Sequence, residues 1–158
     1  MASGPEQDDT ATRFCLAFAS GEHEVRAALA QLRQGLAPMH LSEADEGTVE
    51  LVLGEVLNNV VEHAYGPEGP GRISLECARR GCGLAFSVSD GGKALPGLDL
   101  PPGDPPDIDV ARDELPEGGF GWFLVRTLTT GLTYARHDGS NVLEFSIPLG
   151  GTPKKPTV

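Results

Sequence analysis

Basic residues are scarce in this chain. Only 12 Lys and Arg stand against 23 Asp and Glu, a formal net charge of -11 over 158 residues. That balance opposes the counterion-release attraction by which proteins bind nucleic acid, so no nucleic-acid partner is expected. Cysteine is scarce too. Cys15, Cys77 and Cys82 form no CxxC and no paired framework, and with His23, His40, His63 and His137 they make no four-ligand zinc set. They read as reduced thiols of a cytoplasmic protein. No apolar run reaches the ~20 residues that spanning a bilayer requires, and residues 1–10 have neither a basic start nor the apolar stretch of a leader. Neither export nor membrane insertion is expected. Internal repeats are absent, and the length suits one hydrophobic core rather than two.

What is present is a regular succession of elements. Residues 1–12 read as disordered, and 13–19 as a strand in which Phe14, Leu16 and Phe18 alternate with smaller residues. Ser20 is placed to cap a helix whose Val25, Leu29, Leu32 and Leu36 recur at helical spacing up to Pro38. A second helix opens on the capping-box-like Ser42-Glu43-Ala44-Asp45. It runs through Val49, Val52, Leu53, Val56, Leu57, Val60 and Val61 to Tyr65 and stops at Gly66-Pro67. Being apolar nearly all round, it is expected to be deeply buried. The alternations Ile73/Leu75/Cys77 and Leu84/Phe86/Val88 predict a hairpin joined by 80–83. Residues 91–118 then dissolve into Pro, Gly and Asp, a far longer connection than the usual four to six or so, which marks a lid or a disordered segment. A helix over 120–129, a hairpin of 132–136 with 142–147 around Asp138-Gly139, and a frayed tail over 150–158 complete the chain. This order predicts an α+β fold over 13–149. It is a two-layer α/β sandwich, with a mixed, mostly antiparallel sheet and helices on one face.

Three segments carry candidate chemistry. In 55–65, Glu55, Asn59 and Glu62 fall at i, i+4 and i+7, so three polar side chains share one stripe of an otherwise apolar helix. The stripe reads either as the solvent face or as a site in which Asn59 gives an amide oxygen to Mg²⁺ and Glu55 serves as a general base. In Asp90-Gly91-Gly92 an acid ends an apolar strand before two glycines. This is either a plain turn or a carboxylate placed to accept a hydrogen bond from an adenine amino group. In 117–125 a glycine cluster leads directly into an apolar helix. It reads as a hinge, or as a helix start whose free N–H groups and positive dipole end meet phosphate oxygens.

In this order the three segments resemble a known family. It is the Bergerat (GHKL) nucleotide-binding fold of gyrase, chaperone, histidine-kinase and mismatch-repair ATPases, and within it the bacterial anti-sigma factor serine/threonine kinases. The run Glu-x-x-x-Asn-x-x-x-His-Ala-Tyr at Glu55, Asn59, His63, Ala64 and Tyr65 resembles that family's N box. Asp90-Gly91-Gly92 resembles its first glycine box, and Gly119-Phe120-Gly121 followed by Trp122-Phe123-Leu124-Val125 resembles the second. The resemblance implies an ATP pocket in which Asn59 binds Mg²⁺, Glu55 is the base and Asp90 reads adenine. It adds Asn58, His63, Gly92, Lys93, Gly118, Gly119, Phe120 and Gly121 to the nucleotide-binding residues and makes 93–117 the ATP lid. It further implies transfer of the γ-phosphate to a serine of an anti-anti-sigma antagonist, sequestration of a sigma factor, and a homodimer.

The departures matter as well. Ala94 stands where the first glycine box ends in glycine, and Glu117 where related kinases can carry an arginine that neutralises the γ-phosphate. Phosphoryl transfer rests on positioning and on neutralising spread charge, so Glu117 weakens the case for fast transfer. Lys93 and Arg112 are the only bases within 93–117. A rival reading is a binding module that uses nucleotide only to shape a protein-capturing surface. A sensor histidine kinase fragment ranks last, because no helical dimerisation segment with an acceptor histidine is present. On residue type alone, His63 reads as a hydrogen-bonded structural residue, Cys77 as core, and Trp122 as packing rather than a stacking platform.

Overall fold

The computed structural model describes residues 13–65, 71–102 and 119–150. The expectations for 1–12, Gly66-Pro67, the lid beyond residue 102 with Arg112 and Glu117, Gly118, and the tail beyond Gly150 lie outside the described residues. The elements are β1 (Arg13–Ala19), α1 (Glu22–Leu36), α2 (Glu43–Asn59) continued by a π-helical turn (Val60–Tyr65), β2 (Arg72–Arg80), β3 (Gly83–Asp90), α3 (Gly119–Leu128), β4 (Thr130–His137) and β5 (Ser140–Pro148).

The strands form one sheet in the order β1-β2-β3-β5-β4, and every neighbouring pair is antiparallel. The fold is α+β as expected, with no parallel pair among the described strands, so the sheet is antiparallel rather than mixed. The register explains the core. Cys77, Phe86 and Phe145 stand side by side across β2, β3 and β5, as do Leu75, Val88 and Leu143. All six are buried, while the alternate positions Glu76, Ser87 and Glu144 are not. The period of two thus gives the sheet one apolar face, which the helices cover with Val25, Leu32, Val49, Val52, Leu53, Val56, Leu57 and Val125. Phe86 and Phe145 stack with ring centroids 5.4 Å apart. Burial in this row pushes the Cys77 thiol up to about 12, so it stays a neutral core side chain.

Local chemistry sets the element ends. Ser42 caps α2, its Oγ accepting from Asp45 N at 3.1 Å. Ser20 does not cap α1; Gly21 holds that position without a side-chain bond. The Ser20 hydroxyl is instead taken by the start of β2, accepting from Gly71 N at 2.8 Å while Ser20 N donates to Gly71 O at 2.7 Å. In the β4–β5 hairpin both turn residues have positive φ, Asp138 at 49° and Gly139 at 79°, which Asp-Gly tolerates and which matches the strand twist.

The helix predicted to run to Tyr65 changes its winding after Asn59. A π turn takes more residues per turn than an α turn, so the i, i+4, i+7 stripe breaks. Glu62 therefore leaves the line of Glu55 and Asn59, and its side chain is 68% exposed. No helix among the described residues is long and apolar enough to cross a membrane.

Candidate functional site

At one end of the sheet the inward-facing row turns polar. Asp90 on β3 stands opposite Asn141 on β5, which stands opposite Arg136 on β4. One register step inward, Val88, Leu143 and Tyr134 are likewise neighbours. Between this end of the sheet and the helices lies a cleft of about 490 Å³, counted out to open solvent. Its lining comes from α2 and the π turn (Val56, Asn59, Val60, His63, Ala64), the sheet (Val88, Asp90, Tyr134, Asn141, Leu143), the segment after β3 (Lys93, Leu95) and α3 (Trp122). A mostly apolar wall with few polar groups suits a small ligand with a flat ring.

The polar groups are held tightly. Asp90 is 8% exposed, and its Oδ1 accepts from Gly92 N and from Asn141 Nδ2, both at 2.9 Å. Asn141 Oδ1 accepts from the Tyr134 hydroxyl at 2.6 Å and from Arg136 at 2.7 Å. The turn after Asp90 is fixed from the helix side as well. Tyr65 donates its hydroxyl to Arg72 O and accepts from Gly91 N, both at 2.7 Å. Lys93 N donates to Ala64 O at 2.8 Å. Gly92 runs so close to the π turn that a Cβ on it would lie 2.5 Å from Ala64 O. The glycine there is required by the packing of one box against the other, and Ala64 is small for the same reason.

Of the predicted residues, Asn59, His63, Asp90 and Lys93 line this one cleft. Asn58 does not; it is exposed on the neighbouring face of α2. Gly92 contributes its carbonyl to Arg136 at 3.0 Å rather than a surface to the cavity. Glu55 sits one turn before Asn59, and its carboxylate lies against Gly121 in the first turn of α3, where any Cβ would overlap it. A carboxylate there lies at the positive end of the helix dipole. Gly119 and Phe120 open α3. Residues 93–102, the start of the predicted lid, are fastened: Leu95 N donates to the Tyr134 hydroxyl at 3.0 Å, and Arg126 donates to Pro101 O through Nε and a terminal nitrogen at 3.1 and 2.9 Å.

Reading the sequence missed Asn141, Tyr134, Arg136 and the cavity face of Trp122. For Asn141 a signal existed. Leu143, Phe145 and Ile147 alternate inward on β5, so position 141 shares their face, and a polar residue on a buried face calls for partners.

The family model described as the histidine kinase-like ATPase domain matches residues 18–147, and the chain belongs to that family. The chain is 32% identical over 99 residues to the serine/threonine-protein kinase BtrW of Bordetella bronchiseptica, covering 63% of this chain and 68% of that protein. The crystal structure of the RsbU and RsbW domains of Rv1364c from Mycobacterium tuberculosis superposes on 92% of this chain with a TM-score of 0.58 at 18% identity, a likeness of fold. The chain spans 34% of that solved chain.

Proposed function

We propose that this protein is an ATP-dependent serine/threonine kinase of the anti-sigma type. It binds ATP with Mg²⁺, phosphorylates a serine of an anti-anti-sigma antagonist, captures a sigma factor, and works as a cytoplasmic homodimer. The observation that carries the reading is the convergence of Asn59 and Asp90 on one apolar-walled cleft with the glycine start of α3 and Glu55 beside it. Asp90 accepts from the adenine amino group, and Val56, Val88, Trp122 and Leu143 enclose the ring. The first N–H groups of α3 meet phosphate oxygens, because they have no partners within the helix.

The donor set fits Mg²⁺ in one respect. Among the described residues no group of three or more His, Cys, Asp and Glu could cage a metal. A single amide oxygen from Asn59, completed by phosphate oxygens and water, is the incomplete protein shell this ion accepts. Bound there, the ion would neutralise charge on the phosphates. Glu55 takes the proton from the substrate hydroxyl, and its place at the α3 start keeps the carboxylate near the phosphates.

Isothermal titration tests the first step. ATP binding is expected to depend on Mg²⁺ and to weaken about 100-fold in Asn59→Ala, a difference of about 2.7 kcal/mol. Binding that is indifferent to Mg²⁺ and to this substitution would sink the reading.

A second reading keeps the nucleotide and drops the transfer. It is favoured by charge: Glu117 precedes the second glycine box, and Lys93 is the one Lys or Arg side chain lining the cleft among the described residues. Label passing from γ-labelled ATP to a serine of the antagonist eliminates this binding-module reading, and its absence with tight ATP binding establishes it.

A further inference from the structure

We propose that Asn141 is a positioning residue that holds one oxygen of the Asp90 carboxylate so that the other faces the ligand, and that it locks this orientation to the path of the backbone over 92–95. The inference rests on the reading of Asp90 as the group that meets adenine, and it assigns the β4–β5 hairpin a part in nucleotide selection.

Asn141 is 4% exposed, so each of its polar atoms must find a partner inside the protein. Its amide can sit only one way round. On one side lie the Tyr134 hydroxyl and the Arg136 guanidinium, both donating to Oδ1. On the other lie only acceptors: Asp90 Oδ1 at 2.9 Å, Lys93 O at 2.9 Å and, longer, Gly92 O at 3.3 Å, all facing Nδ2. Flipping the amide would set Nδ2 against a guanidinium and Oδ1 against three oxygens. The orientation is therefore determined by what surrounds it.

Two consequences follow from that single amide. Asp90 Oδ1 is saturated by Asn141 Nδ2 and Gly92 N, so the carboxylate cannot rotate without losing both bonds. Oδ2, which has no hydrogen bond among the described residues, is the oxygen left for a donor in the cleft. The same amide and its two partners also hold the chain that leaves β3. Nδ2 takes Lys93 O, Arg136 takes Gly92 O at 3.0 Å, and the Tyr134 hydroxyl takes Leu95 N at 3.0 Å. The orientation of Asp90 and the start of the 93–117 segment thus form one hydrogen-bonded unit. No serine or threonine could replace Asn141, because one hydroxyl hydrogen cannot serve several acceptors. Aspartate would set a second carboxylate against Asp90.

The test compares wild type with Asn141→Leu, which keeps the branching and number of side-chain heavy atoms while removing the polar ones, and with Tyr134→Phe, which removes only the hydroxyl. Three quantities are read: ATP and GTP dissociation constants, amide hydrogen exchange at Gly92, Lys93 and Leu95, and exchange in the core of β3 at Phe86 and Val88. In Asn141→Leu the ATP affinity is expected to fall about tenfold or more, the size of losing a hydrogen bond to a charged group, and the preference for ATP over GTP to shrink with it. Exchange at Gly92 and Leu95 should rise while Phe86 and Val88 stay protected, a split that general destabilisation would not give. Tyr134→Phe should speed exchange at Leu95 selectively and remains informative if Asn141→Leu does not fold. Unchanged ATP preference in a folded Asn141→Leu, or exchange rising equally in the β3 core, would overturn the proposal. If wild type binds no ATP at all, the nucleotide reading fails instead. The exchange comparison then still decides whether Asn141 fastens residues 92–95, and no selective change there overturns that part.

Discussion

The two ends of the cleft are built differently. At the Asp90 end, side chains from three strands and the π turn interlock through Asn141, Tyr134, Arg136 and Tyr65, and the backbone of 91–95 is bonded at Gly91, Gly92, Lys93 and Leu95. At the α3 end, Asn59 and Glu55 carry no such network among the described residues, and contact there is steric, Glu55 against Gly121. A ring is rigid and can be met by a preorganised surface. Phosphates and their cation bring their own charge and ligands, so the positioning of the groups that meet them is completed when they bind. On the proposed reading, the Asp90 end supplies selectivity and the α3 end supplies chemistry.

Two glycine substitutions test that division, and they should fail in opposite ways. In Gly92→Ala the new Cβ meets backbone, Ala64 O at 2.5 Å and Ala64 C at 2.6 Å, which cannot step aside. Expected is a loss of about 1–3 kcal/mol, as for other overpacked sites, together with lost ATP binding. The check is a denaturant or thermal melt alongside titration. A melt unchanged within error would show that the Asp90 end is more pliant than its hydrogen bonds imply.

In Gly121→Ala the Cβ meets only the far end of Glu55, a flexible side chain. The carboxylate can swing away, and alanine in a helix is favoured over glycine by about 1 kcal/mol. Stability should hold or rise slightly and ATP affinity should change little. The transfer rate should fall by about 10- to 100-fold, short of the roughly 10²–10⁴ that a positioned base contributes. Single-turnover transfer of labelled phosphate at saturating ATP measures it. An unchanged rate would remove Glu55 from the chemistry.

The same contrast explains what could be read from the sequence. Both hairpins and the buried face are legible because each strand repeats with period two and each turn carries its own signature, as in Asp138-Gly139. The boxes are legible as segments because residue type and order suffice to mark them. The π turn is not, since nothing in residues 60–65 announces a change of winding, and the stripe drawn through Glu62 on α-helical geometry fails there. Nor is the joining of the boxes legible. Ala64 against Gly92 and Tyr65 against Gly91 depend on how α2 sits over the sheet, a long-range relation that local pattern does not encode. Asn141 lies between these cases, as its parity was readable although its partners were not.

The smallest expected effect belongs to His63, and it bears on where the cleft stops. His63 lines the cavity, yet its side chain is 68% exposed, and its nearest charged neighbour is the equally exposed Glu62 at 3.8 Å. Exposed pairs of this kind contribute about 0–1 kcal/mol, and a solvated imidazole at the rim gives up little when removed. His63→Ala should therefore leave the melting temperature unchanged and alter ATP affinity by less than about twofold, within the ±0.5 kcal/mol or so typical of surface substitutions. Titration at low and high salt reads it directly. A tenfold loss would mean that the ligand extends past Asn59 to the rim, placing phosphates or a partner's side chain over the π turn and enlarging the α3 end at the expense of the division drawn above.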